Sequence, residues 1–435
     1  MTGNTLNKDF IMTTSYIEAI FDQHIGNPLL NTSYPLKPSD WYDYSKEGAL
    51  KFSNAPIAFY IHIPFCKHIC KFCEYTRIML PEPSVQSAYI ETLCNDIEQF
   101  IKEHPSINLY GFDIGGGTPL ALKDDVFETL IENISHIISN TKQTADFEPS
   151  IEGTFHTLSE RKIKVARQAG IQRLSLGLQS SSKRLMDDYE RASSSIATMA
   201  SSIENVHSWG IEKVNIDIMY GLPGQSKSSI KADLEAIKAL SPEQVTVYEF
   251  RCNQVNPEYN VGVKDRYEQY QILYDGLISS GYTANFGQNT FSKSKTDKGL
   301  SSYLRHRMID GWQYKGFGIS AQSMSDSGLS YNIGKNQENL IELIGCPTYE
   351  AASHYDLPPK ELLNKYISIC GYYGSISIDA ASRILGADFL SYFKETIKFL
   401  IGKQFIDITE RQLKITCKGF ENYGAILSLF TSASH

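Results

Sequence analysis

The sequence predicts an α/β fold built on a parallel sheet, and three observations point there. Short apolar runs alternate with amphipathic stretches six times between Ala58 and Ser280. Each amphipathic stretch is long enough to carry the chain back to the same sheet edge, a return that parallel neighbours require and hairpins do not. The residues able to do chemistry fall where the strands end, the place at which open α/β sheets and barrels bind ligands.

Taken in order, Ala58–Ile63 reads as a strand and Val85–Glu103 as a helix. Asn108–Ile114 and Asp124–Ser139 form the second unit. A strand ending at Ser150–Glu152 and a helix over Ser159–Ala169 form the third. Arg173–Leu178 with Ser195–Trp209, Val214–Met219 with Ser228–Ala239, and Gln244–Phe250 with Lys264–Ser280 complete the series. Residues 1–55 read as an N-terminal extension laid over the core, with a short helix near Tyr16–Phe21 and irregular chain over Asn27–Asp43. Residues 56–335 form the main domain, with 281–340 read as irregular loops that finish its mouth. Residues 336–435 form a small C-terminal domain: helices over Asp379–Leu385 and Asp388–Gly402, then strands at Phe405–Ile408 and Gln412–Thr416 as a two-stranded wing.

The chain has 435 residues, 42% of them hydrophobic, enough for a large buried core. A net charge of −8 argues against general nucleic-acid binding, which needs a basic face. The N-terminus lacks the charged and apolar regions of a signal peptide, and no run of eighteen apolar residues exists, so no membrane span is expected. The reading is a cytoplasmic protein. Eight cysteines are too few for a disulfide scaffold. Five of them (Cys94, Cys252, Cys346, Cys370 and Cys417) are scattered and read as reduced, packed thiols.

The other three, Cys66, Cys70 and Cys73, sit within eight residues at CxxxCxxC spacing. Three thiolates can hold three irons of a [4Fe–4S] cubane and leave the fourth open, whereas a cluster used only for electron transfer normally takes four. A zinc site completed by His62 or His68, or thiols packed as small hydrophobes, are the alternatives. A second motif, Asp113-Ile-Gly115-Gly116-Gly117-Thr118-Pro119, follows the second strand. Its glycines allow close backbone approach, and its free N–H groups suit a carboxylate.

The run Tyr60-Ile-His-Ile-Pro-Phe-Cys66, with Phe72 and Cys73, resembles the radical S-adenosylmethionine (SAM) superfamily, in the branch typified by oxygen-independent coproporphyrinogen III oxidase. The resemblance implies a partial (β/α)6 barrel with a winged-helix-like C-terminal domain. It implies a cluster on Cys66, Cys70 and Cys73, and SAM held by Gly116, Gly117 and Thr118, with Glu152, Tyr60 and Phe72 as further contacts. That branch holds a second SAM, and Gln179, Arg191 and Asp217 match its ligands. Gly316-Phe-Gly318-Ile-Ser-Ala321-Gln322 resembles a segment lining the first SAM, and Thr32-Ser33-Tyr34-Pro35 matches a motif of the oxidases. There are departures: Glu74-Tyr-Thr-Arg77 follows the cysteines, Arg251 replaces a small second-SAM residue, and Gln322 replaces an apolar one. The heme-binding motif of the related chaperones survives only as His306 and Trp312.

The implied activity is reductive cleavage of SAM to a 5′-deoxyadenosyl radical that takes hydrogen from a small molecule. Oxidative decarboxylation of a tetrapyrrole is the leading expectation, with an electron donor such as flavodoxin or ferredoxin. Lys67, Lys71, Arg77, Arg191 and Arg251 are candidate partners for substrate carboxylates. A two-SAM methyltransferase or cyclopropane-forming enzyme, and a non-catalytic heme carrier, are the alternatives.

Overall fold

The computed structural model describes residues 13–27, 38–250, 261–334, 336–345 and 353–431. Among them, all six expected units are present: β1 (Ile57–Ile63), β2 (Asn108–Gly116), β3 (Lys142–Gly153), β4 (Arg173–Gln179), β5 (Lys213–Tyr220) and β6 (Gln244–Glu249). The helices between and after them are Pro83–Glu103, Asp124–Asn140, Glu160–Gln168, Ile196–Ser208, Lys227–Leu240 and Val263–Ser279. Their starts follow from local chemistry. Pro83 stands in the first turn, where its missing N–H costs nothing, and the Ser195 and Ser226 side chains accept from the N–H groups of Thr198 and Ser229.

The six strands pair in parallel and in sequence order. Sequential order with right-handed crossovers puts every crossover helix on one face. The strands alternate accordingly. Phe59, Ile61, Phe112, Ile114, Ile151, Leu174, Leu176, Ile216, Val245 and Val247 are fully buried in the core beneath the helices. Their neighbours Tyr60, Asp113, Ser150, Glu152, Arg173, Ser175, Asn215, Asp217, Thr246 and Tyr248 point to the other face.

Residues 281–340 differ from the expectation of irregular loops. They contribute β7 (Thr290–Ser292), antiparallel to β6, and β8 (Tyr314–Phe317), parallel to β1. Beyond β8 the sheet continues antiparallel through β9 (Gln322–Met324), β10 (Gly328–Tyr331), β11 (Ser353–Asp356) and Ser45–Lys46. Among the described residues this makes one open, mixed, twelve-stranded sheet whose two ends do not pair. These late strands are three or four residues long, too short for a period-two pattern to stand out, and their partners lie far away in sequence. Aromatic packing holds them: Phe317 meets Phe59 edge-on at 5.1 Å and Phe100 at 5.8 Å.

The C-terminal part carries helices and a three-stranded antiparallel sheet, Ser375–Ser377, Gln412–Ile415 and Ile406–Thr409, one strand more than expected. The N-terminal helix Thr14–Gln23 lies against it, with Phe21 stacked on Phe405 at 5.3 Å. Cys94 and Cys370 are free and buried and Cys417 is free and exposed, while Cys252 and Cys346 lie outside the described residues. Among the described residues, no helix is long and apolar enough to cross a membrane.

Short helical turns over Ser302–Arg305 and His306–Asp310 close over the polar face of β2. Gly111 makes this possible, since a Cβ there would stand 2.5 Å from the Tyr303 backbone nitrogen. Gly111→Ala is therefore expected to cost about 1–3 kcal/mol by overpacking, read by urea denaturation. Unchanged stability would contradict this seating.

Candidate active site

The three-cysteine segment is a closed loop at the C-terminal end of β1. Phe65–Cys66 pairs in parallel with Ile78–Met79, so the chain leaves and re-enters at one point. Ile78 N donates to Pro64 O at 2.7 Å, and Leu80 N to Cys66 O at 2.9 Å. Inside the loop, Cys73 N donates to Cys70 O at 3.2 Å. The thiols are near enough to feel one another's charge, and burial is the main cause lifting Cys66 to about 11 and raising Cys73. Such thiols stay protonated until a metal displaces the proton.

The glycine turn lies directly beneath. Thr118 N donates to Phe65 O at 2.9 Å, and Thr118 Oγ1 stands 3.7 Å from Cys66 Sγ. Each glycine answers to a neighbour. A Cβ would meet the Glu152 carboxylate at Gly115 (2.7 Å), the His62 ring at Gly116 (2.6 Å) and the Pro64 carbonyl at Gly117 (2.6 Å). Gly116 also has φ +114°, which side-chain-bearing residues avoid, and its N–H donates to Glu152 Oε2 at 3.2 Å.

Glu152 is surrounded by protein yet keeps solvent access, as expected for a group lining an open mouth. Burial and then the nearby Asp217 push its carboxyl up to about 8. Burial likewise lifts Asp113 to about 7 and raises Asp217. Burial thus shifts three carboxyls on one face of the sheet toward their neutral forms. Asp113 accepts from Ser301 Oγ at 2.6 Å through Oδ2, while its buried Oδ1 has no partner. Asp217 accepts from Asn215 Nδ2 (2.7 Å) and Ser175 Oγ (3.1 Å). Arg173, bonded to Gln244 and Ser150, supplies positive charge beneath them.

Most of the residues named from sequence converge here. Tyr60 shares this face and reaches His62 Nδ1 at 3.2 Å. Arg191 approaches Cys70 Sγ at 3.5 Å, lies over the Phe72 ring at 5.8 Å and donates to Gly177 O. Gln179 stands beside it at the end of β4 with φ +68°, a conformation that costs a residue with a side chain. Gln322 lies on β9, across β8, and accepts from Lys365 Nζ at 3.2 Å. Arg251 and Thr32–Pro35 lie outside the described residues.

Sequence reading missed Arg173, Tyr248, Tyr303 and Arg307, and gave Asp113 no role. The signal for the first two was a polar residue recurring at every second strand position. Arg307 carried no such signal. Asp233 was missed too: wholly buried, it accepts from Ser180 Oγ and Ser181 Oγ, fixing the turn after Gln179.

The residues fit a cluster better than zinc. His62 has both ring nitrogens engaged, Nε2 with Thr76 O at 3.0 Å, and burial lowers it to about 4. Among the described residues, no three His, Cys, Asp or Glu side chains converge to hold a single metal ion, as tetrahedral zinc requires. A cubane instead takes one thiolate at each of three separate irons.

Residues 60–237 match the family model described as the Radical SAM superfamily. The chain carries a radical SAM domain, whose cofactors are a [4Fe–4S] cluster and SAM. Its relatives fall into two named groups. Over 386 residues it is 25% identical to the heme chaperone HemW of Bacillus subtilis (strain 168), covering 85% of this chain and 98% of that protein. Over 415 residues it is 23% identical to the oxygen-independent coproporphyrinogen III oxidase of Salmonella typhimurium (strain LT2), covering 89% of each. Its fold is that of the coproporphyrinogen III oxidase HemN from Escherichia coli, with a TM-score of 0.71 at 21% identity over 87% of this chain and 90% of that one.

A carboxyl held above its ordinary value contributes a loss of stability that begins as pH rises past the unfolded value and is complete above the folded one. For Asp113 that window runs from the ordinary carboxylate range to about 7. Asp113→Asn keeps an acceptor for Ser301. In SAM-free protein it is expected to raise the thermal midpoint relative to wild type more at about pH 8.5 than at about pH 5. Equal differences at both pH values would show that Asp113 is not held neutral.

Proposed function

We propose that this protein is a radical SAM enzyme that acts on a tetrapyrrole-like small molecule, by oxidative decarboxylation of the coproporphyrinogen oxidase type. The observation that carries this reading is one mouth that gathers the Cys66–Cys70–Cys73 loop, the Gly115–Gly117 turn bonded to Glu152, and the Gln179, Arg191 and Asp217 side chains. When bound, the cluster and SAM supply one-electron chemistry that removes hydrogen from an unactivated carbon.

The chain's part is placement and charge. The turn through Gly116 and Gly117, packed tightly on His62 and Pro64, is the segment that would meet the amino and carboxylate groups of SAM. Glu152 offers an acceptor to a cationic ligand, and SAM brings both an ammonium and a sulfonium. Tyr60 and Phe72 flank that position. Arg191 and Asp217 offer opposite charges to a second amino acid group, as a second SAM needs. The helical turn bearing Tyr303 covers the far side and limits water, which protects a reactive carbon radical. An external one-electron donor such as flavodoxin or ferredoxin starts the reaction, and the electron released when the substrate radical loses CO2 to form the vinyl group passes to a one-electron acceptor.

A heme carrier is the second reading, favoured by the similarity to HemW over nearly its whole length. His306 weighs against it as an iron ligand. Its Nδ1 meets Asp310 Oδ2 at 2.5 Å and its Nε2 meets Asp146 Oδ2 at 2.8 Å. Its ring lies flat on Trp312 at 4.1 Å and is 7% exposed.

Air-free protein loaded with iron and sulfide, given SAM, dithionite and coproporphyrinogen III, is expected to yield 5′-deoxyadenosine with decarboxylated, vinyl-bearing product. S-adenosylhomocysteine with a methylated product would instead support a methyltransferase, and heme binding without SAM cleavage would support the carrier. Cys70→Ala should abolish SAM cleavage, and full retained turnover would contradict the site.

A further inference from the structure

The three cysteines do not meet equal surroundings. Thr118 Oγ1 stands 3.7 Å from Cys66 Sγ, and the Tyr75 backbone N–H bonds Cys73. Both partners are neutral. Cys70 Sγ instead receives Arg191 Nη1 at 3.5 Å. A guanidinium has only donors, so the direction of that contact is fixed. Its charge makes it the strongest donor of the three toward a metal-bound thiolate.

Several contacts hold Arg191 in that place. Its Nη2 donates to Gly177 O, and its guanidinium lies over the Phe72 ring at 5.8 Å. Gly177 makes the room, since a Cβ there would stand 2.7 Å from Arg191 Nη2. The chain just before Arg191 is laced to the cysteine loop. Lys71 N donates to Tyr189 O at 3.1 Å, Lys71 Nζ pairs with Glu190 at 2.9 Å, and the Phe72 and Tyr189 rings meet at 5.7 Å. Arg191 N itself donates to Met186 O at 2.9 Å. Arg191 is half-buried, and among the described residues no carboxylate lies within ion-pair distance of it. Arg77, the other guanidinium felt by the thiols, donates to Tyr75 O at 3.1 Å.

We propose that Arg191 acts through Cys70 as a positioning residue: it fixes a positive charge and an N–H at one cluster ligand, and so raises the cluster's reduction potential. Taking one electron from the external donor makes a cluster one unit more negative. A cation held at a ligand sulfur stabilises that form, and local charge and hydrogen bonds to the sulfurs are among the factors that set such potentials. The inference goes beyond the tetrapyrrole reading, in which Arg191 served only as a charge for a second amino acid group. It needs the cluster on the three cysteines and no particular substrate.

The test is an EPR-monitored redox titration of the full chain, air-free and loaded with iron and sulfide, with neither SAM nor substrate present. At the wild-type midpoint potential, Arg191→Met is expected to lower the ratio of reduced to oxidised cluster about tenfold or more, each tenfold being 59 mV for a one-electron couple. Arg191→Lys keeps the charge without the fixed planar geometry and should fall between the two. Lys67→Met removes an exposed charge beside Cys66, and screening by water and salt should hold its effect below about twofold. Iron and sulfide content checks that each variant carries an intact cluster. If Arg191→Met assembles no cluster, Arg191→Gln, which is neutral but retains an N–H, takes its place and should lower the ratio about threefold or more. An intact cluster with the wild-type midpoint in the neutral variant would overturn the proposal. So would a shift in Lys67→Met as large as that in the neutral Arg191 variant, since net charge alone would then explain it.

Discussion

A strand has two sides, and the whole molecule depends on how six parallel strands divide theirs. Valine, isoleucine, leucine and phenylalanine occupy the side under the helices and form a continuous buried core. Carboxylates, hydroxyls, amides and one arginine occupy the other. The parallel register then aligns these polar groups in rungs: Tyr60 with Asp113, Asp113 with Ser150, Ser150 with Arg173, and Asp217 with Thr246. A slip of one residue in any strand would bury charge beneath helices and expose the core. Fold stability and site composition are therefore one constraint.

Reactivity is confined to the strand ends by backbone contacts. The cysteine loop is pinned by hydrogen bonds from Ile78 and Leu80, and the glycine turn by Gly117 N to Ile63 O and Thr118 N to Phe65 O. Thr76 Oγ1 also donates to Ser320 Oγ at 2.8 Å, joining the loop to the chain after β8. Side chains at Gly115, Gly116 or Gly117 would collide with Glu152, His62 or Pro64. The turn is thus held against its neighbours, with the N–H groups of Gly116, Gly117 and Thr118 bonded to Glu152, Ile63 and Phe65.

The parts of this fold with strong local signals were legible in the sequence. Six strands of at least six residues, each followed by a helix, three of them capped by a serine side chain, declare themselves by period, and observed boundaries fall within a few residues of the expected ones. The short strands after Ser280 do not, because their pairing is set by distant partners such as Ala58 for Tyr314 and Ser45 for Tyr355. The same division holds for the site. Cys66, Cys70, Cys73 and the Gly115–Gly117 turn are contiguous motifs. Arg307 reaches Tyr303 and Tyr314 only because Gly111 lets a later turn settle on β2, and Lys365, bonded to Gln322, comes from a helix over fifty residues further on. Such meetings are made by tertiary structure and leave no spacing to read.

The central claim is that three thiolates hold a cluster with one iron left for SAM. Mössbauer spectroscopy of air-free, ⁵⁷Fe-loaded protein, recorded before and after adding SAM, addresses it directly. The account predicts a four-iron cluster in which one iron site changes on SAM addition and three do not. A zinc-loaded, iron-free protein, or a cluster whose four irons all ignore SAM, would contradict it.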